Sequence, residues 1–287
     1  MTRNNNSAKT RTNPVPKGFL VLVGGNEDKD NDLQILRTIK SLANKDKVRI
    51  EVITTASEFP EKTGELYMRT FEKVGGCSVG LLHLTSREDV NDSSLLQRVK
   101  EADVIFFSGG DQLRITSVLG GSPIISEIKR KYIEEFCIIA GTSAGASAMS
   151  ETMIYDGESS EALLKGTVQI TGGIGLIDSV IIDTHFVTRG RFSRLMQMVC
   201  MNPGYVGIGL GEDTGIIIKD GHIFKAIGNG LIVIMEGLNL KYTNITHINN
   251  GDAIAIENMT IHTVVSDHGY DLFERKYLKP VELKSIF

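Results

Sequence analysis

The stretch Phe136-Cys137-Ile138-Ile139-Ala140-Gly141-Thr142-Ser143-Ala144-Gly145-Ala146-Ser147-Ala148-Met149-Ser150 decides how this chain is read. Its first half is a short apolar run of the kind that forms a strand buried on both faces. At Gly141-Thr142-Ser143-Ala144-Gly145 it turns into small residues that can begin a helix. Gly-x-Ser-x-Gly at a strand-to-helix turn is the nucleophile-elbow pattern, in which the glycines let the backbone bend sharply and the serine hydroxyl projects at the top of a sheet. The same residues also suit a Gly-rich loop whose serine merely caps the helix. The flanking segments decide between the two.

Working outward, Val104-Ile105-Phe106-Phe107 reads as a strand ending in Ser108-Gly109-Gly110-Asp111-Gln112, followed by helical patterns over 112–119 and 123–135. Gly18-Phe19-Leu20-Val21-Leu22-Val23 is another unbroken apolar run, ending in Gly24-Gly25-Asn26-Glu27-Asp28-Lys29. Leu33, Leu36, Ile39 and Ala43 then recur at helical spacing. Further strands are expected over 48–54 and 79–84, and helices over 60–74 and 93–101, with Pro60 tolerated at a helix start. Strands alternating with helices specify βαβ units, right-handed crossovers and a mostly parallel sheet with helices on both faces. The fold class is α/β.

Downstream, residues 156–175 are polar and Gly-rich and are expected to be loops, 180–183 a strand and 192–201 a helix. From residue 204 the character changes. Short β-branched runs (206–210, 215–219, 222–227, 231–235, 253–256 and 260–265) are separated by Asp-Gly, Gly-Asn-Gly and Asn-Asn-Gly turns, which mark hairpins. No linker precedes them, so residues 18–287 are expected to be a single domain with a β-rich C-terminal extension. Residues 1–17 read as a flexible polar leader without the apolar core of a signal peptide.

Composition sets outer limits. Of the 287 residues, 41% are hydrophobic and 23% charged, which is ordinary for a globular protein with a large core. The net charge of −4 gives no reason to expect nucleic acid or an anionic membrane as partner, and no apolar run approaches the roughly 18 residues of a membrane span. A cytoplasmic setting is expected. Cys77, Cys137 and Cys200 are scattered without a CxxC pair, so neither a disulfide framework nor a cysteine metal site is indicated.

A serine nucleophile needs a base in hydrogen-bond reach, and the base needs an orienting acid. His83 falls inside an expected strand, and His222, His247, His262 and His268 fall in the hairpin region. His185 alone directly follows an expected parallel strand, in Asp183-Thr184-His185-Phe186. Glu212, in Gly209-Leu210-Gly211-Glu212-Asp213-Thr214, ends the next strand and can hold the imidazole tautomer; Asp213 competes with it on spacing alone. Ligands in open α/β sheets bind beyond the carboxyl ends of the strands, so the clusters at 24–29, 108–112, 141–145, 183–186 and 211–214 are expected to converge on one face. The order serine, histidine, acid differs from that of α/β-hydrolases, where the acid precedes the histidine. Backbone N–H groups of Ala144 and Gly110 are the candidate oxyanion donors. Arg189, Arg191 and Arg194 form either a solvated face or forks for carboxylates, and Asp183 could hold a cationic group. Together they suggest a substrate bearing both charges.

At these residues the chain resembles the cyanophycinases, of the serine peptidase family that also holds aspartyl dipeptidase. The resemblance is carried by Gly24-Gly-x-Glu-Asp-Lys29, Gly109-Gly-Asp-Gln112, Gly141-Thr-Ser-Ala-Gly145, Asp183-x-His-Phe186 with the three arginines in register, and Gly209-x-x-Glu-Asp-Thr214. It runs from about residue 18 to the C-terminus. It implies a class-I-glutamine-amidotransferase-like fold, a homodimer, and no metal or organic cofactor. It implies Ser143 as nucleophile, His185 as base and Glu212 as acid, with Gln112, Asp183, Thr184, Arg189, Arg191 and Arg194 in the substrate pocket. The implied substrate is cyanophycin, a poly-aspartate whose side-chain carboxyls carry arginine, cut through an acyl-enzyme to β-Asp-Arg. Its carboxylates would meet the arginines and its guanidinium Asp183. Three positions depart from the pattern: Thr184 where glutamine is frequent, Gly211 where an aspartate precedes the acid, and Asn26 where alanine is common. Thr184 keeps a dipeptidase for aspartyl or isoaspartyl peptides open as a second reading. A non-catalytic binding protein on the same scaffold is the third.

Overall fold

The unbroken apolar runs are the middle of a sheet that needs cover on both sides. In the computed structural model, which describes residues 14–157 and 163–287, the first half of the chain supplies β1 (Phe19–Val23), α1 (Gln34–Leu42), β2 (Val48–Ile53), α2 (Pro60–Val74), β3 (Cys77–Leu82), α3 (Ser93–Glu101), β4 (Val104–Phe107), α4 (Gln112–Leu119), α5 (Pro123–Glu134), β5 (Ile138–Thr142) and the short α6 (Ala144–Ser147). Side-chain caps start three of these helices: Asp92 accepts the Ser94 and Leu95 amides, Asp111 that of Leu113, and Ser122 that of Ile125. Then follow β6 (Thr152–Asp156), β7 (Gln169–Gly172), β8 (Val180–Asp183), α7 (Phe192–Met201), β9 (Val206–Leu210), β10 (Thr214–Lys219), β11 (Ile223–Gly228) and β12 (Ile232–Glu236). The chain closes with β13 (Tyr242–Thr243), β14 (Ile256–Glu257), β15 (Thr260–Val264), β16 (Gly269–Asp271), β17 (Lys276–Leu278) and α8 (Pro280–Leu283).

The central sheet has nine strands in the order β17-β16-β11-β10-β1-β5-β4-β2-β3. Strands β1, β5, β4, β2 and β3 are parallel, and the other four add antiparallel beside β1. Alternate residues of one strand enter opposite cores, as the pleat requires. Val21 and Val23 join Ile35, Ile39, Tyr67 and Phe71 of α1 and α2, whereas Leu20 and Leu22 join Val99, Ile115 and Ile128 of α3, α4 and α5.

The β-rich region divides between two sheets, which the hairpin pattern did not indicate. Strands β10, β11, β16 and β17 extend the central sheet, while β15-β12-β9-β8 form a separate four-stranded sheet. One face of this second sheet (Ile182, Ile208, Ile234) shares the core of α3–α5; the other (Ile181, Val233, Met235) is covered by Leu195, Met198 and Val199 of α7. Because β8 pairs parallel with β9 and α7 lies between them, β8-α7-β9 is a βαβ unit, but not one of the main sheet.

Smaller differences have local causes. Residues 156–175 were expected to be loops, yet β7 pairs antiparallel with β6. Its mostly exposed residues leave no hydrophobic period to read. The expected strand 79–84 begins two residues earlier, directly after Gly75 and Gly76, whose φ of 76° and 66° end α2. The strand expected over 253–256 reduces to Ile256–Glu257. The expected leader lies outside the described residues up to residue 13; the amide of Lys17 donates to Ile133 O at 3.1 Å.

Candidate active site

Three successive carbonyls, beginning at the last residue of β1, gather the site. Val23 O accepts the Ser143 amide at 2.9 Å, Gly24 O the His185 amide at 2.8 Å, and Gly25 O the Asp213 amide at 3.0 Å. The loop ends of β5, β8 and β9, from two different sheets, are thereby fastened to one short backbone segment. Ser143 sits at the sharp β5-to-α6 turn with φ 53° and ψ −116°. Asn26, His185 and Asp213 also have φ near +50°, at 50°, 49° and 46°. Each left-handed non-glycine residue is strained by about 1–2 kcal/mol, and such residues gather at functional sites held by their surroundings.

The side chains form a continuous relay. Ser143 Oγ lies 2.8 Å from His185 Nε2, and His185 Nδ1 lies 2.7 Å from Glu212 Oε1. A carboxylate can only accept, so Nδ1 carries the proton donated to Glu212 and Nε2 is the acceptor facing the serine hydroxyl. The other carboxylate oxygen, Oε2, accepts from the Asn26 amide at 3.2 Å. The His185 hydrogen bond, aided by Asn26 and the nearby Arg189 guanidinium, holds the Glu212 carboxyl below the usual carboxylate range. Asp213 is a turn residue. Its oxygens accept from the Asp28 amide and from Asn229. Of the two acids that spacing left open, Glu212 is the one hydrogen-bonded to His185.

The segment after β1 has a part that sequence reasoning did not assign. Gly25, at φ 98°, leaves room for the imidazole: a Cβ there would stand 2.4 Å from His185 Cε1. Glu27 is buried and accepts from Tyr67 Oη at 2.6 Å and Thr142 Oγ1 at 2.5 Å, with Lys29 Nζ at 2.9 Å. It therefore braces the residue preceding Ser143. The amides of Asn31, Asp30 and Leu33 hold the Asp28 carboxyl well below its ordinary range and round off the turn. A glycine pair and an acid directly after an apolar strand were the available signal.

The β4 loop approaches from the other side. A Cβ on Gly109 would lie 3.2 Å from Ser143 Cβ. Gly110, at φ 143°, abuts the backbone of Ala56 so closely that a Cβ would come within 2.0 Å of its carbonyl oxygen. Ala144 opens α6, so its N–H has no acceptor inside the helix. Gln112 Nε2 donates to Ile154 O and Tyr155 O at 3.0 and 3.2 Å, tying α4 to β6. Thr184 is buried with its hydroxyl 3.5 Å from that of Ser147.

The charge cluster differs from expectation. Asp183 was expected to hold a cationic substrate group, and Arg191 and Arg194 substrate carboxylates. Instead these groups satisfy each other. Asp183 Oδ2 accepts from Arg194 Nε at 2.6 Å, and Oδ1 from Arg194 Nη2, from Arg191 Nη1 at 3.2 Å and from the Thr184 amide at 2.9 Å. Asp183 and Arg194 are 1% and 5% exposed, and a buried carboxylate without such partners would be strongly disfavoured. Arg191 also donates to Thr184 O at 2.8 Å, and Arg194 to Gly157 O at 3.0 Å. Burial pulls the Arg191 guanidinium down to about 10. The cluster thus buttresses the turn that carries His185. Arg189 follows that turn, its amide on His185 O at 3.0 Å.

No helix of the described residues is long and apolar enough to cross a membrane. The chain is 33% identical over 275 residues to the cyanophycinase of Trichormus variabilis, covering 96% of this chain and 92% of that one. It is 32% identical over 266 residues to the cyanophycinase of Synechococcus elongatus, covering 93% and 83%. Among solved structures it is similar in fold to a peptidase from an acI-B1 actinobacterium, with a TM-score of 0.69, 22% identity, and 90% and 98% of the two chains covered. The model of peptidase family S51 matches residues 19–226, the span that contains the Ser143–His185–Glu212 relay and the β1 segment beneath it. The chain belongs to peptidase family S51.

Proposed function

We propose that this chain is a serine exopeptidase that hydrolyses cyanophycin to β-Asp-Arg dipeptides. The observation that carries the reading is the hydrogen-bonded relay Ser143 Oγ–His185 Nε2–Glu212 Oε1 in a chain a third identical to named cyanophycinases. Ser143 Oγ attacks the scissile carbonyl while His185 Nε2 takes its proton. Glu212 holds the imidazole tautomer and stabilises the imidazolium that forms. The Ala144 and Gly110 N–H groups receive the oxyanion. The peptide C–N bond then breaks, the imidazolium protonates the departing amine, and water hydrolyses the acyl-serine through the same histidine. The Asp183–Arg194–Arg191 cluster keeps the base in place, Gln112 and Arg189 contact the substrate, and buried Thr184 lines the floor beneath them. The same resemblance supports a class-I-glutamine-amidotransferase-like fold, one domain over 18–287 whose β-rich C-terminal part is an extension of it, a homodimer and a cytoplasmic setting.

The test is release of β-Asp-Arg from cyanophycin by the wild type and by Ser143→Ala, followed chromatographically. Release by the wild type alone is expected. Equal release from both would remove Ser143 as nucleophile. Turnover of short aspartyl or isoaspartyl peptides, with none of the polymer, would move the substrate to a dipeptide.

A further inference from the structure

We propose that Asn26 is a positioning residue for the acid of the relay, its side-chain amide fixing the orientation of Glu212 and, through it, the imidazole of His185. This rests on the catalytic reading of Ser143, His185 and Glu212. Glu212 is not locked by burial, for its side chain is 28% exposed. With Oε1 alone engaged by His185, the carboxylate could pivot about that contact and mis-aim the ring. Asn26 Nδ2 engages Oε2 at 3.2 Å from a different loop, so two donors on two oxygens define the carboxylate plane. An outer donor of this sort orients a ligating or catalytic group without touching the substrate.

The side chain of Asn26 is exposed, but the backbone that carries it is well anchored. On one side of Asn26, Gly25 O accepts the Asp213 amide at 3.0 Å. On the other, Glu27 is buried against Tyr67, Thr142 and Lys29. The charged groups facing Glu212 are His185 and Arg189, which both favour the carboxylate; the carboxylate of Asp213 is directed to the Asp28 amide and Asn229. Among these partners Asn26 is the neutral one, and its amide acts unchanged across the working pH range. A carboxylate with one donor fewer is more basic and holds an imidazolium proton more tightly.

A competing explanation is conformational. Asn26 has φ 50°, and asparagine tolerates the left-handed region better than most residues. Asn26→Gly separates the two, because glycine adopts that backbone freely and carries no amide. Asn26→Asp keeps the shape but sets a second carboxylate against Glu212. Two readouts are taken across pH: kcat/KM on cyanophycin, and the rate at which a fluorophosphonate labels Ser143, which needs the relay but not the polymer. Asn26→Gly is expected to lower both by about two- to tenfold, the net effect of one hydrogen bond, with KM little changed and the acid limb moved to higher pH. Asn26→Asp is expected to move that limb further in the same direction. A glycine variant with wild-type rates and limb, or variants that change KM alone, would overturn the proposal. If the wild type labels and the variants slow that labelling while no dipeptide leaves cyanophycin, the substrate assignment fails and the positioning role stands. If the wild type neither labels nor releases dipeptide, both fall.

Discussion

Glu27 lies beneath the nucleophile turn and its removal has a calculable effect. Its carboxylate accepts from Tyr67 Oη and Thr142 Oγ1 and pairs with Lys29. Tyr67 and Thr142 are 4% and 2% exposed, so Glu27→Ala leaves two hydroxyl donors in the interior without water to replace the lost acceptor. Burial above all, and then the charge of Glu27, pushes the Tyr67 phenol well above its ordinary value. It therefore remains a donor throughout the neutral range. Each buried unsatisfied donor costs about 1–3 kcal/mol, and breaking a buried charge pair from one side costs about 3–5 kcal/mol. These overlap rather than add, giving a loss of about 3–5 kcal/mol, or roughly 5–8 °C in Tm for a chain of this length. Tyr67→Phe removes one donor and leaves Glu27 two partners, for a loss of about 1 kcal/mol. In the double variant one of the orphaned donors is gone, so the combined loss should fall short of the sum by about 1 kcal/mol. Urea unfolding of the four proteins measures all three quantities. A Glu27→Ala midpoint indistinguishable from wild type, or strict additivity with Tyr67→Phe, would refute the reasoning.

Two further predictions concern charges around the site. Arg194→Lys should lower stability to urea by about 1–3 kcal/mol, because an ammonium cannot reproduce the two-point contact with buried Asp183; a change in KM with unaltered unfolding would instead return Arg194 to direct substrate binding. Asp28, whose folded carboxyl lies well below the roughly 3.9 of an unfolded chain, contributes stability that is present above that value and lost as pH falls towards the folded one. Asp28→Asn should therefore lower Tm similarly at pH 7 and pH 5.5 in differential scanning calorimetry, with the gap to wild type narrowing below about pH 4. A gap that stays constant or widens in acid would contradict this.

Much of this molecule is legible along the chain because its signals are local. Pro60 at a helix start, glycines at its end, and Asp92, Asp111 and Ser122 as caps mark helices without reference to anything distant. The apolar runs of β1, β4 and β5 announce strands buried on both faces. Order and spacing, each residue just beyond an apolar run, pointed to Ser143, His185 and one of Glu212 and Asp213, and the family resemblance chose Glu212, the acid that meets the imidazole. What lay outside reach depends on partners far away in sequence. An apolar run looks the same whichever sheet it joins. Nothing local shows that β10 lies against β1 while β8 and β9 form a second sheet and still deliver His185 and Glu212 to the serine. Likewise a charge in the sequence carries no record of its surroundings. Asp183 and Arg194 have the composition of a substrate site, but once both are cut off from water each becomes the other's best partner. Residue identity and spacing therefore determined the chemistry this chain can perform. Tertiary structure decided which groups lie open at the relay and which, like Glu27 and Asp183, are buried against partners of their own, because desolvation sets what each buried charge must bind.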